Sequence, residues 1–166
     1  MDFQRQTNRR LYEEHVATLQ LLARVELVFT GRAGAYPPAT GDSAWPAFAR
    51  AMLSAIELEV ARHFEFEERE LFPRLQEVGD GDLAALLNEE HVTIRAVAQP
   101  LAGLLRQALG EGLQPQQWQT MKTLALEFSE RLSSHAQKED GALLPVLDNL
   151  LDEDTDRELF GAYAAG

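Results

Sequence analysis

One stretch of this chain is written twice. His63-x3-Glu67-Glu68-x2-Leu71-Phe72-Pro73-x-Leu75 returns as His135-x3-Glu139-Asp140-x2-Leu143-Leu144-Pro145-x-Leu147. A second shared element stands ahead of each copy: Glu13-Glu14-His15 before the first and Glu89-Glu90-His91 before the second. A duplication of this kind constrains the fold more than any single motif. Whatever the first half builds, the second half builds again, giving two helical hairpins related by a pseudo-twofold axis. The chain has four histidines, and each repeated element holds one.

The elements between the breakers read as helices. Breaker clusters lie at 31–46 (GRAGAYPPATGDSAWP), 79–82 (GDGD) and 110–115 (GEGLQP). Apolar residues recur at helical spacing between them. Leu11, His15, Leu19 and Leu22 form one stripe, and Met52, Ile56, Val60, His63 and Phe66 a second. Leu83, Leu87, His91, Ile94 and Ala98 form a third, and Trp118, Met121, Leu124, Phe128, Leu132 and His135 a fourth. β-branched residues are sparse and no period-2 run appears. The expected fold is all-α: an up-down-up-down four-helix bundle with helices at about 5–30, 45–77, 82–109 and 115–147. A short fifth helix is expected at about 155–163, with no sequence signal for where it docks. Asp82 reads as an N-cap and Pro115 as a first-turn residue. Pro73 and Pro145 are expected to end or bend their helices.

At 166 residues the chain fits one domain, 1–166. Its 27 acidic residues against 15 basic ones give a net charge of −12, which repels phosphate backbones and argues against nucleic-acid binding. There is no cysteine, so thiolate metal sites and cysteine nucleophiles are excluded and imidazole and carboxylate remain as ligands. The opening MDFQRQTNRR lacks the apolar stretch of a signal peptide, and no run is long and apolar enough to span a membrane. A cytoplasmic protein without a membrane partner is the expectation.

In His63/Glu67 and His135/Glu139 the i, i+4 spacing puts imidazole and carboxylate on one helix face, a turn apart. His15 and His91 sit on the apolar stripes of the other two helices. Counting residues from the helix ends places all four histidines near one layer of an antiparallel bundle. One histidine on an apolar face is ordinarily a hydrogen-bonded core residue, and one His-x3-Glu is ordinarily a surface pair. Four histidines obeying a twofold pattern, with two core-facing glutamates, are neither. Burying the carboxylates without cations would cost several kcal/mol each, so a metal site is the better reading. Four imidazoles and two carboxylates suit iron, manganese or zinc, not calcium or magnesium. Two ions sharing the glutamates would each keep two histidines, leaving room for an oxo or hydroxo bridge and an open position.

The elements E-H, H-F-x-x-E-E-x-x-L-F-P and E-H, H-x-x-x-E resemble the hemerythrin-like HHE cation-binding family across nearly the whole chain. The resemblance implies a non-haem di-iron centre with ligands His15, His63, Glu67, His91, His135 and Glu139, both glutamates bridging. Ferritin-like sites differ, since they carry Glu-x-x-His with glutamate first. Oxygen-carrying hemerythrins have a further histidine one turn after the third-helix histidine, where this chain has Arg95. The four-histidine set is similar to bacterial proteins that repair iron centres and to eukaryotic iron- and oxygen-sensing domains.

The expected function is therefore binding of, or reaction with, a small ligand (O2, NO or peroxide) in sensing, detoxification or iron-centre repair. A redox or iron-protein partner is conceivable on this reading. The alternatives are iron storage or donation, and a helical interaction module with a structural metal. No residue is assigned a catalytic role, and whether the chain is an enzyme stays open, as does its oligomeric state. Among weaker candidates, Glu14 and Glu90 could hydrogen-bond ring nitrogens, but a solvated helix face is the better reading. Tyr12 reads as a core tyrosine before a metal neighbour, and Arg95 as reaching solvent before an anion-binding role. Phe64, Phe66, Phe128 and Trp118 read as packing.

Overall fold

The computed structural model of the chain describes residues 2–38, 42 and 44–165. Residues 39–41 and 43, in the first breaker cluster, lie outside the described residues. The architecture is all-α, a bundle without strands among the described residues. Helix α1 is Gln6–Thr30, α2 spans 44–77, α3 is Gly81–Gly110, α4 spans 115–150 and α5 is Glu153–Ala165. A short 3-10 turn, Arg32–Ala35, follows α1. Cross-helix contacts run in opposite residue order, so neighbouring helices are antiparallel. Phe29 meets Phe48 where His15 meets His63, and Gln107 meets Gln117 where His91 meets His135. Among the described residues no helix is long and apolar enough to cross a membrane.

Local chemistry explains the helix ends. Gly79 and Gly112 sit at φ 94° and 79°, a left-handed conformation that lets the chain turn off α2 and α3 without a Cβ penalty. Helix α4 opens with a capping box of Gln114 and Gln117 and with Pro115 in its first turn. Helix α3 begins one residue before Asp82. Asp80 holds the N-cap position without a side-chain cap, which corrects the assignment of that role to Asp82. The exposed N–H groups at the start of α1 are met by other helices. Asp148 accepts from the backbone of Gln4 and Arg5, and Asp156 from Gln6 and Thr7.

Pro73 and Pro145 do not end their helices. In each case a π-helical turn comes first, Glu67–Leu71 and Glu139–Leu143, and α-helix resumes with the proline in its first turn. A first-turn proline misses no intrahelical bond, and the widened turn removes its clash with the carbonyl four residues back. The Phe72 N–H closes the π ring on Glu67, and the Leu144 N–H on Glu139. Both π turns thus begin at the repeated glutamates. A third π segment, Ile56–His63, leads into the histidine of α2.

The core falls into two apolar blocks. One contains Leu22, Phe29, Phe48, Met52, Ile94, Leu101, Trp118 and Phe128 among others; the second contains Leu11, Phe66, Leu71, Leu87, Leu143 and Leu159 among others. Each fully buried large side chain contributes about 1.5–3 kcal/mol. At the far end of the first block the Trp118 indole N–H donates to the Gly34 carbonyl at 3.0 Å. A Cβ on Gly34 would lie 2.4 Å from the Val28 carbonyl oxygen, so this close approach requires glycine. Along α1, α3 and α4 the switch from one block to the other comes at a histidine, with Leu11 and Leu22 flanking His15, and Leu87 and Ile94 flanking His91; in α2 it comes just after His63, between Phe64 and Phe66.

Candidate metal centre

The polar layer between the two blocks is formed by His15 of α1, His63 and Glu67 of α2, His91 of α3, and His135 and Glu139 of α4. All six are buried, with at most 1% exposure. They form two overlapping groups, His15–His63–Glu67–Glu139 and Glu67–His91–His135–Glu139, each with its ligand-capable atoms within 4.8 Å of one another. The histidines present Nε2 to the centre in pairs, His15 to His63 at 3.2 Å and His91 to His135 at 3.0 Å. Each glutamate divides its oxygens between the pairs. Glu67 places Oε1 3.1 Å from His63 and Oε2 3.4 Å from His91. Glu139 places Oε1 3.0 Å from His135 and Oε2 3.2 Å from His15. Sequence spacing alone could not show this division.

Behind every imidazole stands another carboxylate. His15 reaches Asp140 from Nδ1 at 2.7 Å, and His91 reaches Glu68 at 2.7 Å. His63 reaches Glu14 at 3.1 Å, and His135 reaches Glu90 at 2.9 Å. An ionised carboxylate only accepts, so Nδ1 carries the proton, and in the neutral ring the Nε2 lone pair points to the centre. Carboxylate–histidine pairs of this kind fix the tautomer and raise ring basicity in metal sites. The arrangement obeys the duplication: Glu14 and Glu90 serve the histidine of their own repeat, Glu68 and Asp140 that of the other. Glu14 and Glu90 therefore line the centre, correcting the reading of them as solvated. Glu68 and Asp140 were missed in the sequence, although the pairs Glu67-Glu68 and Glu139-Asp140 are part of the repeat.

The electrostatics of the protein groups alone call for positive charge. Burial disfavours the charged form of His15, but hydrogen bonds to Asp140 and Glu139 outweigh it and raise the imidazole to about 9. His135 is raised in the same way, against burial, chiefly by the charge of Glu139. Burial also opposes ionisation of Glu139, yet His135 and His15 hold it well below the ordinary carboxylate range. Glu14, Glu68 and Glu90 are lowered too, each against desolvation, by its histidine and a further partner: Tyr163, Arg95 and Lys138 respectively.

Among the described residues six carboxylates thus surround four imidazoles and are faced by three cationic side chains: Arg10, Arg95 and Lys138. Oε2 of Glu67 and Oε1 of Glu139 are buried without a hydrogen-bond donor. Orphaned buried carboxylate oxygens are costly, and both lie against the His91–His135 pair, Glu67 Oε2 3.4 Å from His91 and Glu139 Oε1 3.0 Å from His135. The donor set, four neutral imidazole nitrogens and two carboxylates able to bridge, fits a pair of first-row transition-metal ions.

The weaker candidates resolve as follows. Tyr12 packs edge-on against Phe3 at 5.7 Å beside the second apolar block, so it is a packing residue. Arg95 donates to Glu68 at 2.7 Å with its guanidinium carbon 5.5 Å from the Phe64 ring centroid; it ends in an ion pair beside the centre instead of extending freely to solvent. Phe64 stacks on His91 at 3.6 Å and 6°, and so forms a wall of the site. The tyrosine nearest the centre is Tyr163 of α5, whose hydroxyl donates to Glu14. No sequence signal marks it, because its approach depends on how α5 docks.

A bundle carrying this duplicated histidine–glutamate layer defines a class of cation-binding proteins. The sequence profile of the hemerythrin HHE cation-binding domain matches residues 6–147, and the chain belongs to that family. No curated protein sequence is significantly similar to it.

Proposed function

We propose that the centre holds two iron ions, one on His15 and His63 and one on His91 and His135, with Glu67 and Glu139 bridging both. An oxo or hydroxo bridge between the ions completes the reading. The observation that carries it is the division of each glutamate's two oxygens between the two histidine pairs. When bound, such a pair supplies redox chemistry and a position for an exogenous ligand. The protein's own residues do the rest. The Nδ1 carboxylates orient the rings, and the two apolar blocks exclude water from a layer that is at most 1% exposed. A closed layer of this kind selects ligands the size of O2, NO or peroxide, consistent with a role in sensing, detoxification or iron-centre repair. Protein expressed with iron should carry two iron atoms per chain and absorb in the near ultraviolet. Colourless protein with one zinc per chain would rule the di-iron reading out. Addition of NO to the reduced protein should change the spectrum, and an unchanged spectrum would remove the small-ligand role.

A further inference from the structure

Helix α5, Glu153–Ala165, lies beyond the residues that match the family, yet it reaches the centre. Its first turns are fixed to α1: Asp156 accepts from the backbone N–H groups of Gln6 at 2.8 Å and Thr7 at 2.9 Å. Leu159 and Tyr163, both 4% exposed, follow on the same face and enter the second apolar block. The Tyr163 ring packs on Phe66 at 4.5 Å and under the Arg62 guanidinium at 4.9 Å, and Arg62 also donates to the Tyr163 carbonyl. That packing aims the hydroxyl at Glu14 Oε2, 2.5 Å away, the oxygen that also accepts from His63 Nδ1. The distance falls in the range of charge-assisted O–H···O⁻ bonds. Arg10 stands 2.8 Å from the other oxygen of Glu14 as an ion pair without hydrogen-bond alignment. At the twofold-related carboxylate, Glu90, His135 and Lys138 take the two oxygens, and no hydroxyl from another helix is bonded there among the described residues.

We propose that α5 is the keeper of one metal position: Tyr163 clamps Glu14 onto His63, and through it holds the ion at His15 and His63 but not the ion at His91 and His135. The Tyr163 ring stands edge-on to His63 with centroids 6.4 Å apart, and its hydroxyl meets Glu14, not a ligand-capable nitrogen; it is a positioning residue. The inference rests on the two-metal reading above. It adds that the two positions differ in lability and that docking of a helix outside the family's matched region sets the difference.

Tyr163→Phe keeps the ring against Phe66 and Arg62 and removes only the hydroxyl. Full-length protein loaded with two ions, unmodified and variant, would be mixed with excess chelator and the release of metal followed in time. Loss of a partner behind a ligating histidine costs about 10–100-fold in metal affinity. Tyr163→Phe leaves that partner, Glu14, in place and removes only its clamp, so one of the two ions should leave the variant faster by up to about 10-fold, the low end of that range, while the other leaves at the unmodified rate. In cobalt-loaded protein, one of the four exchangeable imidazole N–H resonances should shift and exchange faster, with three unchanged. Unchanged release of both ions would overturn the proposal. Equal acceleration of both would overturn it too, since that is the signature of a loosened bundle. Failure of the unmodified protein to take up two ions would strike the di-metal reading instead.

Discussion

The two halves of the metal centre agree where they face the middle and diverge one layer out. Glu14 behind His63 matches Glu90 behind His135, and Asp140 behind His15 matches Glu68 behind His91. Beyond these carboxylates the twofold fails. Glu68 is paired with Arg95 and Glu90 with Lys138, while Asp140 has no cationic side chain among the described ion pairs. Glu14 has Arg10 and the hydroxyl of Tyr163. His91 is stacked on Phe64 and lies 5.3 Å from Phe72, whereas the twofold-related positions are Ala136 and Leu144. On the two-metal reading, the groups that would touch the ions are constrained by ligand geometry in both halves alike, as are the carboxylates behind them. The groups beyond those carboxylates have only to supply charge balance and packing, which different residues do equally well. The centre is symmetric in its ligand-capable groups and asymmetric in its support.

The largest effects should respect the symmetry. On the two-metal reading Glu67→Ala and Glu139→Ala would each remove a donor from both positions, so each variant should lose most of its iron, and to a similar degree. Metal analysis checks this. A full complement in either variant would end the bridging assignment, and a large difference between them would show that one glutamate matters more than the twofold allows.

A somewhat smaller effect concerns the protein stripped of metal. His15 has a folded pKa of about 9 against an ordinary 6.5, the Asp140 beside it being shared with no cation among the described ion pairs. A raised histidine pKa contributes stability that is fully present below the unfolded value and is lost as pH rises through the folded one. His135 is raised in the same sense. The stripped protein should therefore lose on the order of a few kcal/mol between about pH 6.5 and pH 9. In the loaded protein this fall should be absent, because metal and not a proton occupies Nε2 and the folded form has no such proton to lose in the window. Thermal midpoints of both forms across the window would test the contrast. Parallel curves would mean that protons and metal do not compete for the same nitrogens.

Glu68→Ala and Asp140→Ala form the next comparison. Each takes the carboxylate from one of the histidines proposed as ligands, at an expected cost of about 10–100-fold in metal affinity. Equal losses would show that the carboxylate alone matters. A larger loss for Glu68 would show that its ion pair with Arg95 adds to its grip on His91.

How much of this the sequence reveals depends on distance from the duplication. The four helices and the six central groups are legible because apolar periodicity and the i, i+4 spacing of His63/Glu67 and His135/Glu139 are local, and because the repeat doubles each signal. Glu14 and Glu90 are harder. A residue next to a ligand is turned about 100° around the helix, and only the position of the neighbouring helix decides whether it meets solvent or an imidazole. The structure puts both against histidines, through His63 and His135. Pro73 and Pro145 are hard to read for a different reason: local rules end or bend a helix there, and the π turns that let the helix run on have no period of their own to read. Tyr163 is not legible at all, since it lies 149 residues from its partner Glu14 on a helix with no repeat and no motif.

The smallest effect tests the asymmetry directly. Arg95 is a partly exposed cation, 30% accessible in its side chain, so its pair with Glu68 is worth no more than about 1 kcal/mol. Arg95→Met should keep the full metal complement. What changes is charge: with the guanidinium gone, Glu68 pulls harder on the Nδ1 proton of His91 and makes Nε2 a stronger donor. The His91 half then comes to resemble the His15 half, where Asp140 has no paired cation among the described ion pairs. Mössbauer spectra of the unmodified iron protein should show two similar but separable environments, and in Arg95→Met their separation should shrink. A separation that widens would mean that the stack of Phe64 on His91, not the outer charge, sets the difference between the halves. A single environment in the unmodified protein would mean that asymmetric support does not reach the ions.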